Sequence, residues 1–180
     1  MISLILGGAR SGKSRYAEQL ASRSQLPVLY IATATALDAE MAARIAHHQQ
    51  QRPSEWQLCE CPLQLAETLA QESKKNQCIL VDCLTLWLNN QLFAQPQQDF
   101  AQLFNQLLES LQGASAEIIF VANEVGLGVI PLGEISRQFV DEAGRLNQQL
   151  AKVANSVVFI AAGLPLYLKG DTRSLTGEQT

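Results

Sequence analysis

The sequence predicts an α/β fold, with a mostly parallel central sheet and helices on both faces. Short apolar runs alternate along the chain with longer segments whose apolar residues recur at helical spacing, in the order β-α-β-α-β-α-β-α-β. The runs are rich in β-branched residues, which is typical of strands that are buried on both faces. A glycine-rich turn separates the first run from the first helical segment, as in folds that bind phosphate at the end of a parallel strand.

Length and composition predict a single domain at 1–170, followed by a polar and frayed C-terminal tail at 171–180. The chain has 180 residues, of which 47% are hydrophobic, and a net charge of −4. This charge gives no global attraction to nucleic acid or to an anionic membrane. No apolar run approaches the roughly 18 residues of a membrane span, and the N-terminal run lacks the basic flank of a signal peptide. We therefore expect a cytoplasmic protein with neither nucleic acid nor membrane as a partner.

The first run, 2–6, leads into a stretch that fits the phosphate-binding pattern G-x-x-x-x-G-K-[ST], and a helix follows from about residue 14. In this pattern the backbone N–H groups and the helix N-terminus converge on phosphate. The lysine reaches the β- and γ-phosphates, the serine hydroxyl ligates Mg²⁺, and the arginine and first serine add donors. The predicted nucleotide-binding residues here are Gly7, Gly8, Ala9, Arg10, Ser11, Gly12, Lys13 and Ser14.

Two further apolar runs should end beside this loop if the sheet is parallel. The run 27–33 places Ala32, Thr33 and Ala34 at its carboxyl end. The run 78–82 ends in Asp82, and an acid at such a strand end holds Mg²⁺ in many phosphate-loop enzymes. Ser14 and Asp82 are therefore the predicted metal ligands.

The rest of the chain supplies two more strands, a short strand and five helical segments. The predicted helices are 38–52, 62–74, 84–93, 99–112 and 133–155, and the predicted strands are 56–60, 117–122 and 156–161. Residues 123–131 form a glycine-rich loop that begins with Asn-Glu at a strand end, which favours an active-site loop over a plain connector. The four cysteines lack C-x-x-C spacing and are expected to be reduced thiols.

Both histidines of the chain lie on the predicted helix 38–52. His48 shares a stripe with Met41, Ile45 and Arg52, so it points toward the body of the protein, whereas His47 falls off that stripe. The pattern alone leaves His48 open as either a packed histidine or a functional one. Glu60, at the junction of strand 56–60 with the next helix, is likewise either an exposed turn acid or a functional one.

Together these motifs resemble a specific family, the bifunctional adenosylcobinamide kinase / adenosylcobinamide-phosphate guanylyltransferases of cobalamin assembly. The resemblance covers about 6–169 and rests on several separate stretches. They are residues 7–14, Tyr-Ile-Ala-Thr at 30–33, Asp-Ala-Glu-Met-Ala-Ala-Arg-Ile at 38–45, His48 with Arg52-Pro53, Trp56, Glu60, Val-Asp-Cys-Leu-Thr at 81–85, Asn-Glu-Val-Gly-Leu-Gly-Val-Ile-Pro at 123–131, Asp141 and Gly-Arg-Leu-Asn-Gln at 144–148.

The resemblance implies a RecA-like fold of the P-loop NTPases, a homotrimer and two reactions. One phosphorylates adenosylcobinamide with ATP or GTP, and the other transfers GMP from GTP to adenosylcobinamide phosphate through a guanylyl-histidine, with release of pyrophosphate. The spacing from Arg44-Ile45 to Arg52-Pro53 places the family's histidine at His48, and Lys13 is the second catalytic residue. Further nucleotide contacts carry over onto Ala32, Thr33, Ala34, Gln49, Gln50, Gln51, Arg52, Glu60 and Asp82.

Two other functions remain consistent with the motifs. A small-molecule kinase would use the same loop with no covalent step, and His48 would then be structural. A GTP-dependent switch would couple hydrolysis to partner binding. Only the bifunctional enzyme requires a guanylyl adduct on His48.

Overall fold

In a computed structural model, residues 1–35, 39–40, 43 and 52–170 are described. They form seven strands and five helices of regular length. The strands are β1 (Ile2–Gly7), β2 (Val28–Ala32), β3 (Gln57–Glu60), β4 (Cys78–Asp82), β5 (Glu117–Asn123), β6 (Ser156–Ala161) and β7 (Leu164–Lys169). The helices are α1 (Lys13–Arg23), α2 (Leu65–Glu72), α3 (Leu84–Ala94), α4 (Phe100–Ser110) and α5 (Glu134–Val153).

All seven strands lie in one sheet, in the order β3-β2-β4-β5-β1-β6-β7. Every neighbouring pair is parallel except β6 and β7, which are antiparallel. β1 lies between β5 and β6, so the turn that follows β1 comes after an interior strand and not after an edge strand. The predicted mostly parallel α/β fold is confirmed.

Helices cover both faces of the sheet, and each face has its own core. Ala17 and Ala21 of α1 pack on one face with Ile5, Tyr30 and Leu80. The other face packs against α2, α3, α4 and α5 through a larger set of side chains that includes Leu65, Leu69, Trp87, Phe104 and Leu146. Because β1, β4 and β5 are covered on both sides, their sequences are continuous apolar runs.

The observed boundaries differ from the predicted ones most clearly at α2, which begins at Leu65 and not at Pro62. The carbonyl of Leu63 explains the later start. It accepts hydrogen bonds from Trp87 Nε1 at 2.9 Å and from Gln91 Nε2 at 2.7 Å, both on α3. This tertiary contact holds residues 62–64 in a turn that no local pattern predicts.

The sequence analysis missed β7. It pairs with β6 through a two-residue turn, Ala162-Gly163, whose φ angles are +51° and +80°. Positive φ at both central residues is typical of a tight hairpin turn. Pro165 argues against a strand, but β7 is an edge strand, where proline is tolerated.

Three further predictions concern other parts of the chain. Of the predicted helix 38–52, only Ala39, Glu40, Ala43 and Arg52 belong to the described residues, and the first three are helical. The predicted tail at 171–180 lies outside them. Within the described residues, no helix combines the length and the hydrophobicity needed to cross a membrane.

Candidate active site

The candidate site lies where five parallel strands end. Gly7, the last residue of β1, pairs with Asn123 of β5, and Asp82 ends β4 in register with Val121. On the far side Ala32 pairs with both Asp82 and Glu60. The sheet therefore brings the phosphate loop, Ala32, Glu60 and Asp82 to one edge, as the parallel arrangement requires.

The phosphate loop connects β1 to α1 through residues 8–12. Arg10 and Gly12 both have positive φ, +56° and +94°, and the Ser11 N–H donates to the Gly8 carbonyl at 3.3 Å. α1 begins at Lys13, so its first N–H groups open toward the loop. This arrangement of turn and helix N-terminus is a phosphate-binding cradle.

Neighbouring backbone fits tightly around the loop and limits its residue types. A Cβ added at Gly7 would lie 2.5 Å from Ser11 Oγ and 2.6 Å from the Ile160 carbonyl oxygen. At Gly12 it would lie 3.3 Å from Gly163 Cα, in addition to the strain of the positive φ. The Gly163 N–H also donates to the Ser11 carbonyl at 2.8 Å, so the β6–β7 turn supports the loop from behind.

Two polar groups in the loop lack the partners that their burial demands. Lys13 is only 9% exposed, and its ammonium donates to the Gly8 carbonyl at 3.1 Å. No carboxylate of the described residues pairs with it. Ser11 Oγ is buried and has no hydrogen-bond partner in the same part of the chain. Buried polar atoms are nearly always bonded, so both groups fit a loop that is completed by an anionic ligand.

Asp82 belongs to a cluster of polar side chains beneath α1. The Tyr30 hydroxyl donates to Asp82 Oδ2 at 3.2 Å, and the Arg52 guanidinium lies 3.5 Å from the centroid of the Tyr30 ring. Glu18 of α1 is half-buried, and burial together with the Asp82 carboxylate raises its pKa, while Arg52 acts in the opposite direction. Two carboxylates and one guanidinium therefore share this corner of the site.

Thr33, a predicted nucleotide-binding residue, makes its side-chain hydrogen bonds within the protein. Its side chain is fully buried, and Thr33 Oγ1 donates to the Cys83 carbonyl at 2.7 Å and accepts from the Cys83 N–H at 2.9 Å. Its carbonyl accepts from Asn90 Nδ2 at 2.8 Å. Thr33 therefore joins the ends of β2 and β4 and fixes the backbone that carries Asp82.

The donor set at the loop and β4 fits a hard divalent cation. Ser14 supplies a hydroxyl and Asp82 a carboxylate, which are oxygen donors of the type that Mg²⁺ prefers. Both are half-buried, and Asp82 retains acceptor capacity beyond its bond from Tyr30. No group of three or more His, Cys, Asp or Glu residues is arranged to hold a metal ion, at this site or elsewhere among the described residues.

A shallow apolar groove adjoins the loop after β5. It encloses about 260 Å³ and is lined on one side by Leu92 and Phe93 of α3. The other lining residues are Asn89, Val125, Pro131, Ile135, Ser136, Phe139 and Val140. Phe93 is 69% exposed and Leu132, which follows the lining residue Pro131, is 99% exposed, which is unusual for large apolar side chains. Residues 124–133 are therefore a surface loop with apolar side chains turned outward.

The loop after β5 is tied to the phosphate loop. The Glu124 N–H donates to the Gly7 carbonyl at 3.1 Å, and the Asn123 N–H donates to Thr85 Oγ1 at 2.6 Å. Asn123 Oδ1 is buried and has no hydrogen-bond partner within the described part of the chain. This geometry agrees with the interpretation of 123–131 as an active-site loop.

Some predicted site residues lie outside the region that the structure describes. They are His48, Gln49, Gln50 and Gln51. Arg52, at the end of that segment, lies against Tyr30 at the edge where Asp82 sits. Glu60 is exposed and occupies the same edge two strands from Asp82, roughly 10 Å away at the usual strand spacing.

Sequence reasoning missed Tyr30 and Glu18 as members of the site. A signal existed for each. Glu18 follows Ser14 by four residues on α1, so both lie on one face of the helix. Tyr30 is two residues before Ala32 on a buried strand, and a buried tyrosine hydroxyl requires a polar partner.

Comparisons with known proteins identify the family of the chain. Residues 3–168 match the family described as cobinamide kinase / cobinamide phosphate guanyltransferase. The bifunctional adenosylcobalamin biosynthesis protein CobP of Pseudomonas aeruginosa is 54% identical over 171 residues, which cover 95% of this chain and 99% of that protein. The corresponding CobU of Escherichia coli is 42% identical and is covered in full, with 94% of this chain aligned.

Solved structures support the fold alone. A Pyrococcus horikoshii protein superposes with a TM-score of 0.55 at 12% identity, covering 99% of this chain and 91% of that one. A prototypical ATPase of the bacterial type III secretion system gives 0.56 at 12% identity, covering 97% of this chain and 61% of that one. The phosphate loop, the parallel sheet and the match over residues 3–168 lead to one conclusion: the chain belongs to the cobinamide kinase / cobinamide phosphate guanyltransferase family.

Proposed function

We propose that this enzyme phosphorylates adenosylcobinamide with ATP or GTP and then transfers GMP from GTP to adenosylcobinamide phosphate, through a guanylyl group carried by His48. The family membership supplies the class of reaction, a bifunctional kinase and guanylyltransferase of adenosylcobalamin biosynthesis. The single observation that carries the proposal at the level of residues is the loop with its buried Lys13 and its Ser11 hydroxyl, which has no hydrogen-bond partner among the described residues.

In the kinase reaction, the hydroxyl of the aminopropanol arm attacks the γ-phosphorus and the nucleoside diphosphate leaves. The loop N–H groups and Lys13 stabilise negative charge as it grows on the phosphate oxygens. The proton of the attacking hydroxyl passes to solvent or to a nearby carboxylate. No covalent enzyme intermediate is required, because orientation and charge stabilisation supply most of the catalysis.

In the guanylyl transfer, a neutral imidazole nitrogen of His48 attacks the α-phosphorus of GTP. A nitrogen–phosphorus bond forms, the bond to the bridging oxygen breaks, and pyrophosphate leaves with the electron pair. A phosphate oxygen of adenosylcobinamide phosphate then attacks the same phosphorus and displaces the histidine. Lys13 and the loop amides stabilise the departing polyanion. Arg52 follows His48 by four residues in the sequence and supplies a positive charge next to Tyr30.

Mg²⁺ is the metal expected with these nucleotides, held by the Ser14 hydroxyl and the Asp82 carboxylate. When bound, it neutralises charge on the phosphates. The chain's own residues orient the nucleotide, and the Glu60 carboxylate together with backbone at Ala32 and Ala34 continues the site along the sheet edge.

The corrinoid is assigned to the apolar groove between α3 and the loop 124–133. The groove is too small for a whole corrin ring but suits one apolar edge of it, and it adjoins the loop that contacts Gly7. The proposal also includes assembly as a homotrimer in the cytoplasm, which the family resemblance suggests. Neither claim alters the chemistry assigned to the phosphate loop.

Incubation with GTP and Mg²⁺, followed by intact-mass measurement, tests the covalent step. Wild type is expected to gain the mass of one GMP in an acid-labile adduct, because phosphorus–nitrogen bonds hydrolyse in acid. His48→Ala is expected to gain none. His47→Ala is the matched control and is expected to form the adduct.

The remaining outcomes identify the alternatives. Loss of the adduct only in His47→Ala would move the nucleophile by one residue. No adduct in any protein, with phosphorylation of adenosylcobinamide intact, would indicate a kinase without a covalent step. Hydrolysis of GTP with neither product would favour a switch.

A further inference from the structure

Tyr30 is the most deeply buried polar side chain of the cluster beneath α1. It is 4% exposed and lies on β2 among the apolar residues of that face. The Tyr30 hydroxyl is the donor in its hydrogen bond to Asp82 Oδ2. A buried tyrosine in an otherwise apolar strand is therefore held for its hydrogen bond as well as for its volume.

The two ends of this side chain serve two different groups. The hydroxyl donates to Asp82 Oδ2 at 3.2 Å, while the face of the ring lies 3.5 Å from the Arg52 guanidinium carbon. Because Tyr30 pairs with Leu80 in register, Asp82 is its diagonal neighbour on the same face of the sheet, within reach of a long side chain. The Tyr30 side chain therefore contacts both Asp82, at the end of β4, and Arg52.

Both partners depend on Tyr30. The hydroxyl of Tyr30 bonds Oδ2 of Asp82, and within the described residues Oδ1 keeps its capacity to accept. Arg52 Nε is buried without a hydrogen-bond partner in the described part of the chain, and the guanidinium packs against the face of the Tyr30 ring. Glu18 adds a second carboxylate to the cluster and interacts electrostatically with both Asp82 and Arg52.

We propose that Tyr30 is a positioning residue for nucleotide binding: its hydroxyl orients the Asp82 carboxylate toward the metal-bound triphosphate, and its ring holds the Arg52 guanidinium at the nucleotide. The inference rests on the assignment of Asp82 to the metal in the proposed function. It assigns two separate roles to one side chain. The hydroxyl affects metal-dependent binding through Asp82, and the ring affects binding through Arg52 without the metal.

The test measures the affinity for a GTP analogue with a methylene group between the α- and β-phosphorus, which cannot undergo guanylyl transfer. Calorimetry gives the dissociation constant with Mg²⁺ and with EDTA. The constant in EDTA divided by the constant with Mg²⁺ reports the metal-dependent part of binding. This ratio does not depend on the fraction of the sample that is folded. It is also independent of catalytic activity.

Tyr30→Phe removes only the hydroxyl and is expected to lower this ratio about tenfold, the usual effect of one hydrogen bond to a charged group, with binding in EDTA unchanged. Tyr30→Leu removes the ring as well and is expected to weaken binding in EDTA about threefold further, because Arg52 loses its support. Tyr16→Phe is the matched control, because the Tyr16 hydroxyl bonds Tyr167 at 3.1 Å on the same side of the sheet and does not contact Asp82.

Equal ratios for Tyr30→Phe, Tyr16→Phe and wild type would overturn the role of the hydroxyl. Equal affinities of Tyr30→Leu and Tyr30→Phe in EDTA would overturn the role of the ring. Asp82→Asn separates this inference from the proposed function. If the ratio falls in Asp82→Asn and stays at the wild-type value in Tyr30→Phe, only the inference is wrong. If Asp82→Asn keeps the ratio, the metal assignment itself is wrong and the inference falls with it.

Discussion

Ser11, Asn123 and Thr33 show how hydrogen bonding separates ligand-facing residues from structural ones. Ser11 Oγ and Asn123 Oδ1 are buried and lack hydrogen-bond partners among the residues that the structure describes, whereas the Thr33 hydroxyl both donates and accepts a hydrogen bond within the protein. A buried polar atom without a partner costs stability, so an enzyme retains one where a ligand completes it. The first two residues therefore have capacity for substrate, and Thr33 contributes through its backbone.

Among single residues, the cysteines differ in their burial and in how far their pKa values are raised. All four are free, and burial, together with the charge of the adjacent Asp82, raises the pKa of Cys83 to about 11. Burial also raises the pKa of Cys78 to about 11. Cys59 is only half-buried, and its pKa is raised as well.

Alkylation of the native protein with iodoacetamide at pH 8 should modify Cys59 first and leave Cys78 and Cys83 unmodified. The thiolate is the reactive form, and at a pKa of about 11 it is roughly one molecule in a thousand at this pH. Peptide mass mapping over time measures the order. All four should react at similar rates in urea, and early modification of Cys83 in the native protein would contradict the burial described here.

The sign of the pH effect follows from the same shifts. Above pH 9 the unfolded chain releases thiol protons that native Cys78 and Cys83 retain up to about pH 11. The native state then binds more protons, so these groups make the free energy of unfolding fall as pH rises through that window.

At the scale of elements, the site depends on a hairpin that takes no part in the chemistry. The turn between β6 and β7 places the Gly163 N–H on the Ser11 carbonyl and puts Gly163 Cα where a Cβ on Gly12 would touch it. The phosphate loop is thus supported by the β6–β7 turn. Ala162, the first residue of this turn, has a φ of +51°, where an alanine is strained.

Ala162→Asn is expected to stabilise the protein by about 0.5–1 kcal/mol, because asparagine tolerates positive φ and Asn-Gly is the preferred sequence of such a turn. Thermal unfolding measures this as an increase of roughly 1–4 °C in Tm for a chain of this size. Ala162→Val is the matched control at the same exposed position and should lower Tm, since β-branched residues are the least compatible with positive φ. The same direction of change in both variants would contradict the turn geometry.

At the scale of the whole molecule, two apolar surfaces remain uncovered within the described residues. One is the groove between α3 and the loop 124–133, with Phe93 at its edge. The other is the outer face of β7, where Leu164, Leu166 and Leu168 alternate along the edge strand and are each more than half exposed. Surfaces of this kind mark binding sites for ligands or other subunits.

Light scattering on the purified protein is expected to give three times the 19.7 kDa mass of one chain. Phe93→Ser, in the groove, should leave that mass and the GMP adduct unchanged while raising KM for adenosylcobinamide phosphate about tenfold, because one large apolar contact with the corrinoid is lost. A fall in mass for this variant would assign the groove to the subunit interface. An unchanged KM would remove the corrinoid from the groove.

The sequence by itself determined the parallel part of the sheet, the phosphate loop and the family. Glycine spacing, the terminal acid of β4 and continuous apolar runs are local signals, and each reports a requirement of backbone geometry or burial that holds in any context. These signals were enough to predict that Ala32 and Asp82 share an edge with the loop, which the strand register confirms.

The tertiary structure alone decided what touches those residues. The bond from Tyr30 to Asp82, the stacking of Arg52 and the support of Gly12 by Gly163 join positions far apart in sequence, and none has a local pattern. β7 and the late start of α2 were missed for the same reason, because an edge position tolerates Pro165 and side chains of α3 hold the Leu63 carbonyl. Local periodicity predicts which face of an element is buried, whereas the partner across that face is set by packing.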